Sequence, residues 1–408
     1  MKKAFWLPVI LAGSFSLFPQ QVTEESVVIN IEVPVRVFED GRFIDDLTIQ
    51  DFEVFEDGKS QKIEAVYLVK KTSVERSEES RRFAPNTERN FYLFFEINEY
   101  DPRLGKSLSQ FIQNEIYPSD NLWIITPDGT YHLRGEALGR KSRAQIVEQL
   151  IGIMRRDILA GNFEYRSTMA DLAELTLAMT EDPLEEELEP MMRDGMGSYA
   201  YEGLFLDEKI YKYVTLIGQL DNYNLVSEKK MLDFAEVLKY ESGQKYVFIF
   251  YEKEYIPMID PSILQGYMTR YNDRPDIMQT LTTLYDFYNK DIPFNIDIVK
   301  QAYADASIAI HFLYLTGPAT RTDRIVMRGI SDSTFSAFKE MSKATGGFVE
   351  TSNNPEHLFR EALNASENYY LLYYTPKNYT SDGKFRSIEV RVPARNLRVI
   401  HRLGYLAE

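Results

Sequence analysis

The stretch FYLFFEINEY, residues 91–100, decides how the rest of the chain is read. Phe91, Tyr92, Leu93, Phe94 and Phe95 run without a polar interruption, and the chain then breaks at Glu96 into a polar loop through Asn98 to Tyr100. An apolar run of this kind suits a strand covered on both faces, as in a parallel sheet. In an open α/β sheet, ligands sit outside the carboxyl ends of the strands, so the loop opening at Glu96 is where function is expected.

The pattern outward from this strand alternates. Leu104, Leu108, Phe111 and Ile112 recur at helical spacing, NLWIIT from Asn121 reads as a second buried strand, and Ile146, Leu150 and Ile153 and then Met169, Leu172 and Leu175 mark two more helices. Strand, helix, strand, helix in this order predicts right-handed crossovers and a mainly parallel sheet. Helical spacing returns over 211–220 and 231–238, and KYVFIFYEKEY then supplies a continuous apolar strand that ends in Glu252. Two buried strands thus each deliver a glutamate at their carboxyl end. Helices follow over 277–288 and 296–303, and SIAIHFLYL from Ser307 is a further core strand. Phe335, Phe338 and Met341 lie on a helix that stops at Thr345-Gly346-Gly347, Phe348-Val349 forms a short strand, and Pro355 opens a helix carrying Leu358, Phe359 and Leu363.

Both ends of the chain read as β. In VINIEVPVRVFEDG, Ile29, Ile31, Val33, Val35 and Val37 share one face and Asn30, Glu32, Pro34 and Arg36 the other, with Pro34 marking an edge. Asp40-Gly41 and Asp57-Gly58 are hairpin signals. Residues 27–70 form the N-terminal part of a β-sandwich, 71–89 lack apolar periodicity and read as a linker, 90–366 form the α/β domain, and 367–408 supply the missing strands of the sandwich. Tyr369, Tyr370, Tyr373 and Tyr374 are expected to pack with their hydroxyls at the rim of that core, the alternative being an exposed recognition surface.

Composition bounds the function. The 408 residues contain no cysteine, which excludes disulfides and thiolate metal sites, and His132, His311, His357 and His401 are too scattered for a zinc site. No phosphate loop, nucleophile elbow or zinc-protease motif occurs. A net charge of −16 disfavours nucleic acid and anionic lipid as partners; it suits cations or basic surfaces, and equally serves solubility. The opening MKKAFWLPVILAGSFSLF has two lysines and an apolar run broken by Pro8 and Gly13, the layout of a signal peptide over 1–20, with an uncleaved anchor as the other reading. An exported protein follows, periplasmic, cell-surface or extracellular, with no membrane span after cleavage. The acidic run EDPLEEELEPMMRDGMGSYAYEG, near 181–205, reads as a solvated insertion; a calcium loop would need acids at alternating positions.

The segments LTIQDFEVFEDGKSQKI, FKEMSKATGG and YYLLYYTP with the later DGKFRSIEVRV and RLGYLA together resemble bacterial exported proteins carrying a von Willebrand factor A-related domain, over about residues 28–405. The resemblance implies a Rossmann-like A-type domain with a mainly parallel sheet, bracketed by a β-sandwich built from the N- and C-terminal strands, and implies no enzymatic activity. Working metal sites of such domains use an aspartate and two serines after the first strand, a threonine from a second loop and an aspartate after the fourth strand. Their small oxygen ligands suit a hard divalent ion. Here the first motif has become Glu96, Asn98 and Tyr100, Thr168 stands for the threonine, and the later aspartate has become Glu252. The longer acids and the bulk of Tyr100 point to a degenerate site, so no metal and no cofactor are expected, with retained magnesium as the alternative. The expected function is an exported, non-enzymatic, metal-independent protein-interaction module that meets a protein partner through Glu96, Asn98, Tyr100 and Glu252. A metal-dependent adhesin and a polymer hydrolase using Glu96 with Glu252 are the alternatives.

Overall fold

Short local signals set where the elements start and stop. The computed structural model describes residues 29–180, 201, 204–223, 228–288, 295–316, 325–393 and 397–408. The expected signal peptide at 1–20 and nearly all of the acidic insertion near 181–205 lie outside the described residues.

Strand β1 (Ile31–Glu39) buries Ile31, Val33, Val35 and Val37 as its period of two dictates. Asp40 and Gly41, with φ of 48° and 80°, turn the chain into β2 (Arg42–Phe43). Positive φ at both turn residues is what the tight hairpin turn requires, and Asp-Gly tolerates it. Asp57 and Gly58, at φ 47° and 75°, repeat the device between β3 (Glu53–Glu56) and β4 (Lys59–Gln61), after which β5 (Ile63–Lys70) and β6 (Ser73–Glu79) complete the N-terminal strands. The middle of the chain runs β7 (Arg89–Glu96), α1 (Pro102–Asn114), β8 (Asn121–Ile125), β9 (Thr130–Leu133), α2 (Glu136–Arg140), α3 (Arg143–Gly161) and α4 (Phe163–Thr180). It continues through α5 (Leu206–Asn222), α6 (Glu228–Lys239), β10 (Gln244–Glu252), β11 (Tyr255–Met258), α7 (Pro261–Arg270), α8 (Pro275–Tyr288) and α9 (Ile296–Asp305). The last part holds β12 (Ile308–Leu315), β13 (Val326–Gly329), α10 (Asp332–Ala344), β14 (Val349–Ser352), α11 (Pro355–Glu367), β15 (Asn368–Tyr374), β16 (Phe385–Arg391), β17 (Arg398–His401) and β18 (Gly404–Leu406). Pro102, Pro261 and Pro355 each open a helix behind a capping side chain, Asp101, Asp260 and Asn354. Helix α10 ends where Gly346 adopts φ 73° and the Gly347 amide donates to Ser342 O at 2.8 Å. A side chain at Gly347 would put its Cβ 1.7 Å from Ile310 O, so the last turn reaches the sheet only because this residue has none.

The fold class expected from the sequence, a Rossmann-like von Willebrand factor A-type domain with a mainly parallel sheet bracketed by a sandwich, is corrected by the strand pairings. Among the described residues ten of the fourteen pairings are antiparallel, and the four parallel ones are confined to a single sheet of order β14-β12-β10-β7-β8-β9, whose edge strand β9 is itself antiparallel. The chain as a whole is mixed α/β with mostly antiparallel sheets, two of which curl together as a half-barrel. One of these two has the order β17-β1-β15-β5-β6 with β2 beside β1, the other β18-β16-β3-β4, and Val33, Val35, Val54, Tyr370, Leu372 and Val390 fill the space between them. The reason for the difference is that short strands bounded by turns recur at both ends of the chain, while buried apolar runs of the Phe91 kind are few. A further antiparallel pair, β11 with β13, and helix α7 were not foreseen.

Two local expectations are corrected as well. The linker expected at 71–89 contains β6, which pairs with β5 along its length. Its sequence SVERSEE has no apolar face because the strand lies at the sheet edge, where charge discourages further pairing. Pro34 is not on an edge strand throughout: β1 pairs with β15 at Pro34 and, from Val35 onward, with β17 on the other side. The proline sits one residue before that second ladder begins.

The parallel sheet is covered on one face by α1, α3 and α11 and on the other by α6, α9 and α10. Helices α4, α5, α7 and α8 pack with β11 into a separate apolar cluster. At the start of β7, Arg89 is locked to Asp120 by Nε–Oδ1 and Nη2–Oδ2 contacts of 3.1 and 2.6 Å, both side chains being almost fully buried. Asp120→Ala strands the guanidinium and is expected to lower unfolding free energy by about 3–5 kcal/mol in urea melts, whereas Arg89→Met with Asp120→Leu should recover most of it.

Candidate functional site

Parallel pairing puts the two strand-end glutamates at the same edge of the sheet but on opposite faces. Glu96 lies opposite Tyr251 in the β7–β10 register, so Glu252 follows one step further along the neighbouring strand. The chain leaving β7 is pinned on both sides of the turn. The Asn162 side-chain amide donates to Ile97 O at 2.8 Å, and the Asn98 backbone amide donates to Glu252 Oε2 at 2.9 Å. Asp101 then caps α1 by accepting from the Arg103 amide at 2.8 Å.

The five residues singled out in the sequence have different fates. Glu96 and Glu252 share the carboxyl edge of the sheet. Asn98 contributes its backbone amide to Glu252. Tyr100 turns the other way: it packs against the core under α1 and α3, its hydroxyl lies where a Gly105 side chain would be, and the Arg155 guanidinium sits 5.2 Å from its ring. It is a packing residue and leaves the expected contact face. Thr168 is buried on α4, one turn beyond Tyr165.

Sequence reasoning missed Glu254, Tyr165 and Tyr251. Glu254 follows β10 and is fixed by its backbone, whose amide donates to Ser331 Oγ at 3.2 Å and whose carbonyl accepts from Ile330 N at 3.1 Å. Burial pushes the Glu96 carboxyl up to about 7, with the charge of Glu254 adding and that of Lys230 opposing. Glu254 is also raised to about 7, first by burial, then by the charge of Glu252, against a hydrogen bond from Tyr251. Glu252 is raised by burial, although the amides of Asn98 and Glu99 favour its charged form and the charges of Glu99 and Asp101 oppose it. Burial and the charges of Glu254 and Glu252 raise the Tyr165 phenol, and burial and Glu254 lead in raising that of Tyr251. Glu254 lies beyond the end of β10, so strand alternation carried no signal for it.

The site is therefore a set of three desolvated carboxyls at one edge of the sheet, none in an ion pair with a described residue; Glu96 and Glu254 change protonation near neutrality, and burial raises Glu252 as well. It can donate or accept hydrogen bonds as it stands, and a cation brought against it would drive it to the ionised form. Among the described residues no group of three or more His, Cys, Asp or Glu side chains is placed to hold a metal ion, and no helix is long and apolar enough to cross a membrane.

No family model matches the chain, and no curated protein matches it. Among solved structures it is similar to the human COPII-coat protein Sec24c, with 9% identity and a TM-score of 0.29, over 79% of this chain and 44% of that one. The chain thus spans less than half the length of that structure, and a likeness of this strength carries no argument about fold or function.

Raised carboxyl pKa values mean that ionisation opposes folding. For Glu96 and Glu254 the cost is absent below the ordinary value of 4.5 and complete above about 7, so their contribution to stability falls as pH rises through that window. Glu96→Gln and Glu254→Gln should each stabilise the protein by roughly 1–3 kcal/mol at about pH 8 and leave it unchanged at about pH 4. Because the two groups repel one another, the double variant should gain less than the sum, measured by urea melts across pH.

Proposed function

We propose that the carboxyl edge of the central sheet is a metal-independent docking face of an exported, non-enzymatic protein, and that its partner is a protein presenting cationic groups. The observation that carries this reading is Glu254 lying within electrostatic reach of both Glu96 and Glu252 at one sheet edge, all three desolvated and without a described ion-pair partner. A partner's lysine or arginine would supply the missing charge, and the net charge of −16 would favour its approach. Asn162, whose side chain donates to Ile97 O in the loop after β7, lies between Leu159 and Phe163, which are 58% and 68% exposed and add apolar surface to this part of the chain. Export is supported by the sequence of residues 1–20 alone.

Glu252 is already engaged by the Asn98 amide, which supports docking over a role for this carboxylate as a catalytic base. Among the described residues one groove between α1 and α11 is lined by Gln110, Phe111 and Phe359 and another by Val147, Ile151 and Arg155; neither contains Glu96, Glu252 or Glu254.

The test compares cross-linked capture from a native envelope fraction by the wild-type protein and by a Glu96→Gln, Glu252→Gln, Glu254→Gln variant, both in EDTA. A basic protein held by the wild type in chelator, released by salt and lost from the variant supports the reading. Equal capture by both proteins would overturn it, and release by EDTA with recovery on adding magnesium would replace it by a metal-dependent adhesin.

A further inference from the structure

The opposite end of the same sheet has the reverse electrostatic problem. Arg36 on β1, Lys245 on β10 and Arg402 just after β17 converge on a small cavity also lined by Gln244, Tyr246 and Thr345. The three cationic residues are only 4%, 5% and 8% exposed. Their hydrogen bonds go to neutral carbonyls. Arg36 Nη1 donates to Gly346 O at 2.7 Å, Lys245 Nζ to Leu238 O at 2.8 Å, and Arg402 to Glu32 O at 2.7 Å, Ala304 O at 3.3 Å and Asp305 O at 3.4 Å. Neither Arg36 Nε nor Arg402 Nε has an acceptor.

The acids around the cavity are committed to other groups. Glu32 accepts from the Tyr373 hydroxyl and from Gln244 Nε2, and Asp305 is bound by Lys239 at 2.8 Å and by the Leu406 amide at 2.6 Å. Among the described residues none of the three cations forms an ion pair with a carboxylate, although Glu32, Asp305 and Glu241 act on them from a distance. The two arginines stay charged at any physiological pH. Burial and then the Arg402 charge press the Lys245 ammonium down to about 8, against the more distant charges of Glu241, Glu32 and Asp305. Buried cations without a counter-charge are strongly disfavoured.

We propose that this cavity binds one monatomic anion of the chloride class, held by Arg36, Lys245 and Arg402. Size sets the class: the centre of a water-sized sphere has about 10 Å³ to move in, which admits one small guest and excludes phosphate, sulfate or a carboxylate ligand. A water molecule fits the space and could satisfy an Nε donor, but it leaves the charge uncompensated. The anion joins β1 and the residue after β17, from the two ends of the chain, to β10 in the middle of the sheet, so its binding stabilises the junction between the half-barrel and the parallel sheet.

Thermal melts in sodium chloride and in sodium gluconate at equal ionic strength test this directly. Chloride should raise the melting temperature by about 2–5 °C and saturate, because it binds the folded state only. Lys245→Met, which fills the same space without charge, should abolish the chloride increment, and so should Arg402→Gln. Retention of the full increment in a folded Lys245→Met protein would overturn the site. As a check that needs no variant, bromide-soaked crystals of the wild-type protein should show an anomalous peak between the three side chains. Equal melting in both salts with only a water in the cavity would falsify the proposal.

Discussion

Strand β15 is the constraint on which the rest of the structure depends. It lies between β1 and β5 in the middle of the larger antiparallel sheet, pairing Leu372 with Val33 on one side and Val66 on the other. Tyr369, Tyr370, Leu371, Leu372, Tyr373 and Tyr374 are all buried, so the strand is covered on both faces and cannot leave the sheet without exposing two cores at once. Three of the tyrosine hydroxyls find partners: Tyr370 donates to Ile44 O at 3.0 Å, Tyr374 to Glu56 Oε2 at 2.8 Å and Tyr373 to Glu32. The buried Tyr369 hydroxyl has no hydrogen-bond partner among the described residues and departs from the expected rim position. Because β5 and β15 are partners, the residue after β5 and the residue before β15 meet. The Lys71 amide donates to Glu367 O at 2.7 Å, and the Lys71 ammonium bridges Glu115 and Glu367 at 2.9 and 3.2 Å. Apart from β6, which stays in the half-barrel beside β5, everything between these residues is an insertion, and closing so long a loop is entropically tolerable because the cost grows only with the logarithm of its length.

Within the insertion, the aromatic interior of the parallel sheet governs both ends of the strands. Phe95 stacks on Phe250 at 4.8 Å, and Phe248 lies 5.3 Å edge-on to Phe359. Such packing excludes water from the strand ends as well as from the middle, so ionisable groups placed there lose solvation whatever their sign. At the carboxyl edge this produces acids that resist ionisation; at the amino edge it produces cations that lack a counter-charge. His311, enclosed beside Phe248 and bonded to Ser366 at 3.0 Å, follows the same rule: burial and the nearby Arg36 charge hold it well below its usual range.

Much of the local structure was legible because its causes are local. The Asp-Gly turns at 40–41 and 57–58, the proline-opened helix at Pro355 and the glycine stop after α10 each depend on backbone preferences of one or two residues. Strand β6 was not legible, since an edge strand without an apolar face carries no periodic signal and forms only because β5 offers an unpaired edge. Pro34 misled for a related reason: a proline forbids one hydrogen bond, and the partner ladder begins one residue later.

By itself the sequence determined the buried strands at Phe91 and Val247, the glutamates that terminate them and the β character of both ends of the chain, because burial pattern and turn chemistry are written in neighbouring residues. Only the tertiary structure decided that antiparallel pairing dominates the chain, that Tyr100 belongs to the core while Glu254 joins Glu96 and Glu252, and that Arg36, Lys245 and Arg402 meet in one cavity. Pairing partners and side-chain neighbours come from residues as many as three hundred and more positions apart, as Arg36 and the Gly346 carbonyl are, with a separation of 310. Desolvation is likewise a property of the whole surrounding volume, so the charges that matter most here became visible only once the chain was closed on itself.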